Sequence, residues 1–267
     1  MPPLAAPKEE TMSDTPNSLL YDVADGIATA TLNRPEKRNA LDAGILNGLR
    51  AAVQSAAQDP DVRVLVVTGA GKDFCAGADL AALEAMAEQD ILQHLGDAET
   101  LVHLFTAMRA CPKPIVARVR GRALAGGCGL ASACDLIVAE ETAQFGYPEV
   151  NIGFVPAMVM AILRRNLGEK RALEWVLTGE ILSARQAHEW GLVNRVLPGD
   201  TFDEAFAAYI KQLAARSSSA MHLTKRLLYH MDGLSFEAAL RSGADVNVIA
   251  RHTADCRAGV AKFLRKG

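Results

Sequence analysis

The chain has no Cys-x-x-Cys pair, no His-Glu-x-x-His run and no uninterrupted apolar stretch of about 18 residues. The first two absences remove the usual signs of a dithiol redox centre or a zinc site, and the third removes a membrane-spanning helix. Neither a metal nor a membrane partner is therefore expected. Five cysteines, Cys75, Cys111, Cys128, Cys134 and Cys256, form an odd set in apolar or small-residue surroundings. They read as reduced thiols, mostly buried, in a cytoplasmic protein. A basic stripe is missing too: the net charge is −3 and the basic residues are scattered, so nucleic acid is not an expected partner. The opening run MPPLAAPKEETMSDTPN is proline-rich and lacks the apolar core of a secretion signal. It is expected to be a disordered tail over 1–17.

What is present is enough apolar material for a full core: 267 residues, half of them hydrophobic. Two β-rich runs, 19–23 and 27–32, flank Asp25-Gly26 and predict a hairpin. Helical periodicity follows over 41–57, with Asp42 near its start, and 62–68 is a buried strand. Next comes GAGKDFCAGADL (69–80), three glycines in its first nine residues, with helical character resuming over 80–86. A helix is predicted over 90–110, a strand over 115–119, and further strands over 135–139 and 143–147. Strand, glycine loop and helix occur twice in the same order, the sign of a repeated ββα unit. Helices are predicted over 156–167, 170–177 and 183–190, then a last strand over 193–197. Pro198-Gly199-Asp200 marks a boundary between a core over 18–200 and a helical segment over 201–267, with helices over 202–216, 219–231, 235–251 and 253–266. Four helices in so short a segment cannot comfortably close a core of their own, so they are expected to pack on the main body or on another subunit.

The stretch that organises the rest is GRALAGGCGLASACDLIVAEETAQFGYPE, residues 121–149. Its glycines leave backbone N–H groups free to point at an anion, and the small residues over 128–134 suit a tightly packed helix. A carboxylate facing such donors, Glu149, can move a proton while the donors hold the resulting negative charge. The alternative for Glu149 is a carboxylate that caps a turn after Pro148.

Four motifs in order, LNRPEKRNAL (32–41), VVTGAGKDFCAGADL (66–80), the 121–149 stretch and EWGLVNRV (189–196), resemble the crotonase family of acyl-CoA enzymes. The resemblance implies an α/β spiral of ββα units whose helical C-terminal segment assembles a trimer or a dimer of trimers. It implies an acyl-CoA substrate and no tightly bound cofactor, coenzyme A entering as part of the thioester. By motif matching, the backbone N–H groups that hold the thioester oxygen are those of Ala78 and Gly126. Each such donor can supply roughly 3 kcal/mol to the enolate. Backbone carbonyls near Ala76 and Ala78 would meet the adenine, Lys37 the phosphates or pantetheine, and Phe263 and Lys266 a neighbour's coenzyme A. Lys37 and Lys266 can equally be solvated surface charges.

Family hydratases carry one glutamate three residues after the second oxyanion glycine and another in a later Pro-Glu pair. Here the second is Glu149 and the first position is Gly129. A lone carboxylate suits Δ3,Δ2-enoyl-CoA isomerisation, in which one group removes a proton and returns it two carbons away. The alternatives are a hydratase with an atypical acid set and a coenzyme A-binding scaffold without turnover. Asp79 is expected to be structural, and Met158, Met160, Phe154 and Trp175 are candidates either for an acyl pocket or for the core. Gly127-Cys128-Gly129 also suggests a dinucleotide loop, but its third glycine position is Ser132.

Overall fold

The computed structural model describes residues 18–77, 84 and 89–265. The tail expected over 1–17 and all but one residue of the helix expected over 80–86 lie outside them. Asp25 and Gly26, with φ of 52° and 76°, turn β1 (Leu19–Ala24) into the antiparallel β2 (Ile27–Leu32). Two successive positive φ values give a turn whose twist matches its strands.

From β2 onward the large sheet is parallel. It continues through β3 (Val64–Gly69), β4 (Ile115–Val119), β6 (Leu136–Glu140) and β9 (Arg195–Leu197) in that order. β3 is apolar along its length because both of its faces are covered. Leu65 and Val67 join the main core with Ile45, Leu49 and Val53 of α1 (Ala43–Gln58). Val64 and Val66 face Phe202, Phe206 and Ile210 of α7 (Phe202–Ala214).

A second sheet holds three short strands in the order β5 (Arg122–Leu124), β7 (Gln144–Gly146) and β8 (Ile181–Ser183). β5 and β8 escaped the sequence reading because the first lies inside the glycine-rich stretch and the second runs straight into a helix capped by Ser183. A parallel bridge from Cys75 to Ala123 adds the 69–77 loop to the same sheet. Three times in succession, then, the chain leaves a parallel strand of the large sheet and pairs in the small one: β3 with Cys75, β4 with β5, and β6 with β7. This is the repeat that the strand, loop and helix order predicts.

The intervening helices start where polar caps permit. Asp42 accepts from Ile45 N at 2.8 Å, and Asp90 with Gln93 forms a capping box for α2 (Ile91–Ala110). α3 (Gly126–Ala133) has no side-chain cap. α4 (Met160–Leu167) begins four residues later than the predicted 156: residues 157–159 form a turn, and Val159 sits against α3. α5 (Glu169–Thr178) follows, and α6 (Ala184–Glu189) is capped by Ser183 as its sequence predicts.

Beyond α7, the helices α8 (Ser218–His230), α9 (Phe236–His252) and α10 (Ala254–Leu264) have no buried residue. A polar cluster fastens α8 to the body. Lys225 Nζ donates to Asp135 Oδ2 at 2.6 Å and to the carbonyls of Met108 and Lys113, and Tyr229 Oη donates to Asp135 Oδ1 at 2.6 Å.

Candidate active site

The two glycine loops interlock. Phe74 N donates to Arg120 O, Cys75 N to Arg122 O, and Leu124 N to Cys75 O, all within 3.0 Å. Asp73 Oδ1 accepts from Arg122 N at 2.9 Å. Fully buried Asn39, with φ of 55°, ties the preceding turn to this pair: its Nδ2 donates to Ala70 O and Asp73 O, and its Oδ1 accepts from Arg34 N. Glycine is required where the loops touch. Gly77 has φ of 103°, and a Cβ there would stand 2.8 Å from Ala125 Cβ and 3.7 Å from Gly126 N. At Gly127 it would lie 2.3 Å from Cys75 O.

Gly126 is thus the first residue of α3 and faces the end of the 69–77 loop. Its position leaves its N–H without an intrahelical acceptor, at the positive end of the helix. Ala125 before it holds φ 48° and ψ −125°, a conformation costly for any residue with a Cβ. Such strain persists where the surroundings impose it; here Ala125 N donates to Gly146 O at 2.8 Å. The second expected donor, Ala78, lies outside the described residues, as does Asp79.

The bond to Gly146 also brings in the carboxylate. β7 pairs in parallel with β5, placing Leu124 beside Gly146, and three residues on Glu149 stands in the 3-10 turn Pro148–Ile152. Glu149 is half-buried, and its Oε2 is buried without a hydrogen-bond partner among the described residues. Burial raises its pKa above the ordinary carboxylate range, against a smaller opposing pull from its own backbone N–H.

One turn along α3 from Gly126, the buried Gly129 occupies the other acid position. The space is closed: a Cβ at Gly129 would lie 2.5 Å from Val159 Cγ1 and 3.8 Å from the Phe105 ring. Gly127 and Gly129 both abut protein atoms, leaving no cradle for a pyrophosphate. Behind α3, Tyr147 Oη and Ser132 Oγ meet at 3.0 Å, and the Tyr147 ring packs edge-on against Trp175 with centroids 4.8 Å apart. Burial pushes the Cys75 and Cys128 thiols up to about 12, so neither is a nucleophile at neutral pH.

The remaining sequence candidates are dispersed. Ala76 is half-buried, with its N–H given to Arg38 O at 3.0 Å; Lys37 and Phe263 are exposed; Lys266 lies outside the described residues. Trp175 is fully buried in the core, and Phe154 is 48% exposed. Met160 packs on the core, while Met158 lines a cavity of about 720 Å³ at the far end of α3, between α2, α4 and α8. Neither Glu149 nor Gly126 lines that cavity. The sequence reading did not single out Val159, Phe105, Tyr147, Ser132 and Asn39 for the site. Asn39, Ser132 and Tyr147 lie inside matched motifs; Phe105 and Val159 lie outside them and carried no signal.

The comparisons with known proteins agree with this architecture. The family Enoyl-CoA hydratase/isomerase matches residues 22–267. A Thermus thermophilus protein provisionally named an enoyl-CoA hydratase is 43% identical, over 90% of this chain and 95% of its own. The 2,3-dehydroadipyl-CoA hydratase of Escherichia coli is 37% identical over 94% and 96%. The crystal structure of a Mycobacterium smegmatis enoyl-CoA hydratase superposes with a TM-score of 0.88 at 34% identity, covering 93% of this chain and 96% of that one. The fold is the crotonase spiral, and the chain belongs to the enoyl-CoA hydratase/isomerase family of enzymes.

Proposed function

We propose that this member isomerises 3-enoyl-CoA thioesters to trans-2-enoyl-CoA, with Glu149 as its single acid-base group. The observation that carries this reading is the combination of a Glu149 oxygen buried without a partner among the described residues and a Gly129 position packed by hydrocarbon. The thioester oxygen lies at the N-terminus of α3, where the Gly126 N–H, with that of Ala78, receives the charge as the enolate forms. Glu149 removes a proton from C2, and the C2–H electron pair becomes part of a dienolate spanning the oxygen and C4. The same carboxyl group, now protonated, delivers that proton to C4. The double bond moves from C3–C4 to C2–C3, and no water is consumed. A carboxylate whose pKa is raised by burial is a stronger base for the first step and still gives up the proton in the second.

Coenzyme A enters as part of the substrate. Lys37 and the Ala76 loop are proposed to meet its phosphates and adenine, with Phe263 and Lys266 serving a neighbouring subunit. The exposed apolar residues of α9 and α10, among them Phe236, Leu240, Val248 and Phe263, support assembly as a trimer or a dimer of trimers. The names of the relatives favour a second reading, hydration of trans-2-enoyl-CoA. Supplying 3-enoyl-CoA and trans-2-enoyl-CoA in parallel separates the two. Isomerisation raises the conjugated-thioester absorbance with the first and adds no mass to the second. Formation of a 3-hydroxyacyl-CoA from the second, with no turnover of the first, would refute the one-acid reading.

A further inference from the structure

We infer that Val159 determines the reaction specificity of this site, a conclusion that rests on the one-acid reading and names the residue that enforces it. Gly129 is not a vacancy left by a lost acid. Val159 Cγ1 lies 2.5 Å from where its Cβ would be, closer than real atoms approach, with the Phe105 ring behind. Val159 itself has little room to retreat. It is 6% exposed, its carbonyl accepts from Ile162 N at 2.9 Å and Leu163 N at 2.8 Å, and its branched Cβ restricts rotation. A side chain at 129 must therefore displace a β-branched residue fixed at the start of α4.

The chemical consequence concerns water. Hydration of an enoyl thioester needs a water held by polar groups beside C3, and an ordered water needs two to four such partners. At 129 and 159 the packing presents an α-carbon, the Cγ1 methyl and Cβ of Val159 and the Phe105 ring edge, none of which holds water. The trans-2-enoyl product consequently leaves unhydrated, and water must be added to it by a separate hydratase.

Melting curves and turnover test this independently. Gly129→Ala lowers Tm by about 5 °C through overpacking, and adding Val159→Ala recovers most of that loss. A Gly129→Ala protein that melts with the wild type overturns the steric claim. Gly129→Glu combined with Val159→Gly makes room for a second carboxylate and adds water to trans-2-enoyl-CoA at least tenfold faster than the wild type; Gly129→Glu alone does not. Equal hydration by the single and double variants overturns the proposal, as does a folded double variant with no gain. Should the double variant fail to fold, Val159→Thr, which keeps the branched shape and adds a hydroxyl that can hold water, must raise the ratio of hydration to isomerisation, and an unchanged ratio overturns the proposal. A wild type that hydrates as fast as the double variant removes both the water-excluding role and the one-acid reading. A wild type inactive in both reactions removes that reading alone, and the double variant's gain still decides on Val159.

Discussion

By motif matching, Glu149 and Gly129 fall on the two positions where family hydratases resemble one another in carrying acids, and the surroundings of the two differ as much as the residues. At 149 a carboxylate oxygen is buried without a partner among the described residues, and burial raises its pKa. At 129 the space is closed, with Val159 and Phe105 standing where a side chain would begin. Both positions hang from one frame, α3 and the β5–β7 pairing, so neither is a peripheral loop free to drift. A missing acid could leave a wet gap that water or another carboxylate fills. Here the first acid's position is packed as core, and the proposed reaction leaves Glu149 to act alone.

The strongest way to break this asymmetry is Glu149→Gln. It keeps the shape but cannot take a proton, and kcat for 3-enoyl-CoA is expected to fall by about 10²- to 10⁴-fold with coenzyme A affinity retained. A variant with wild-type kcat would remove Glu149 from the chemistry. The pH profile sharpens the same point. The base acts only when ionised, so kcat/KM rises with pH through a pKa shifted above the ordinary glutamate value of about 4.3. An acid limb at the unshifted value would mean that the carboxylate is solvated in the working enzyme.

Stability supplies a subtler comparison. Because Glu149 has a higher pKa folded than unfolded, its ionised form disfavours the fold. That cost is fully present above the folded pKa and disappears as pH falls toward the unfolded value. Glu149→Gln should therefore melt above the wild type at pH 7, and the gap should narrow toward pH 4. A variant that loses Tm at pH 7 would show that the carboxylate has donors and stabilises the fold.

Much of the scaffold was legible because local signals agree with the global fold. Asp25-Gly26 gave the hairpin, β3's continuous apolar run gave a strand covered on both faces, and the glycines of 69–77 and 121–129 marked the close approach. The proposal's acid inventory, Glu149 present and Gly129 in place of the other, also comes from the sequence. What could not be read was contact between distant segments. Val159 lies thirty residues from Gly129, in a turn that periodicity had assigned to a helix, and the valine's size means nothing until the two meet. Asn39 carried a motif signal, but its three hydrogen bonds to other backbone segments required the folded loops.

The smallest expected effect tests the strut between the two acid positions. Tyr147 Oη meets Ser132 Oγ at 3.0 Å inside the protein, joining the last turn of α3 to the strand end that leads to Glu149. Tyr147→Phe keeps the edge-on contact with Trp175 and deletes only the hydroxyl, leaving buried Ser132 Oγ without this partner. An orphaned buried hydroxyl costs about 1–3 kcal/mol, whereas removing both partners of such a bond is nearly neutral. Tyr147→Phe should thus lower Tm by several degrees, and adding Ser132→Ala should recover part of it. If the strut also sets the reach of Glu149, kcat falls a few-fold in Tyr147→Phe while KM holds, because the base is displaced and the coenzyme A contacts are not. A loss of Tm with kcat unchanged would confine the hydroxyl pair to packing and leave the 3-10 turn at Pro148 to aim the carboxylate.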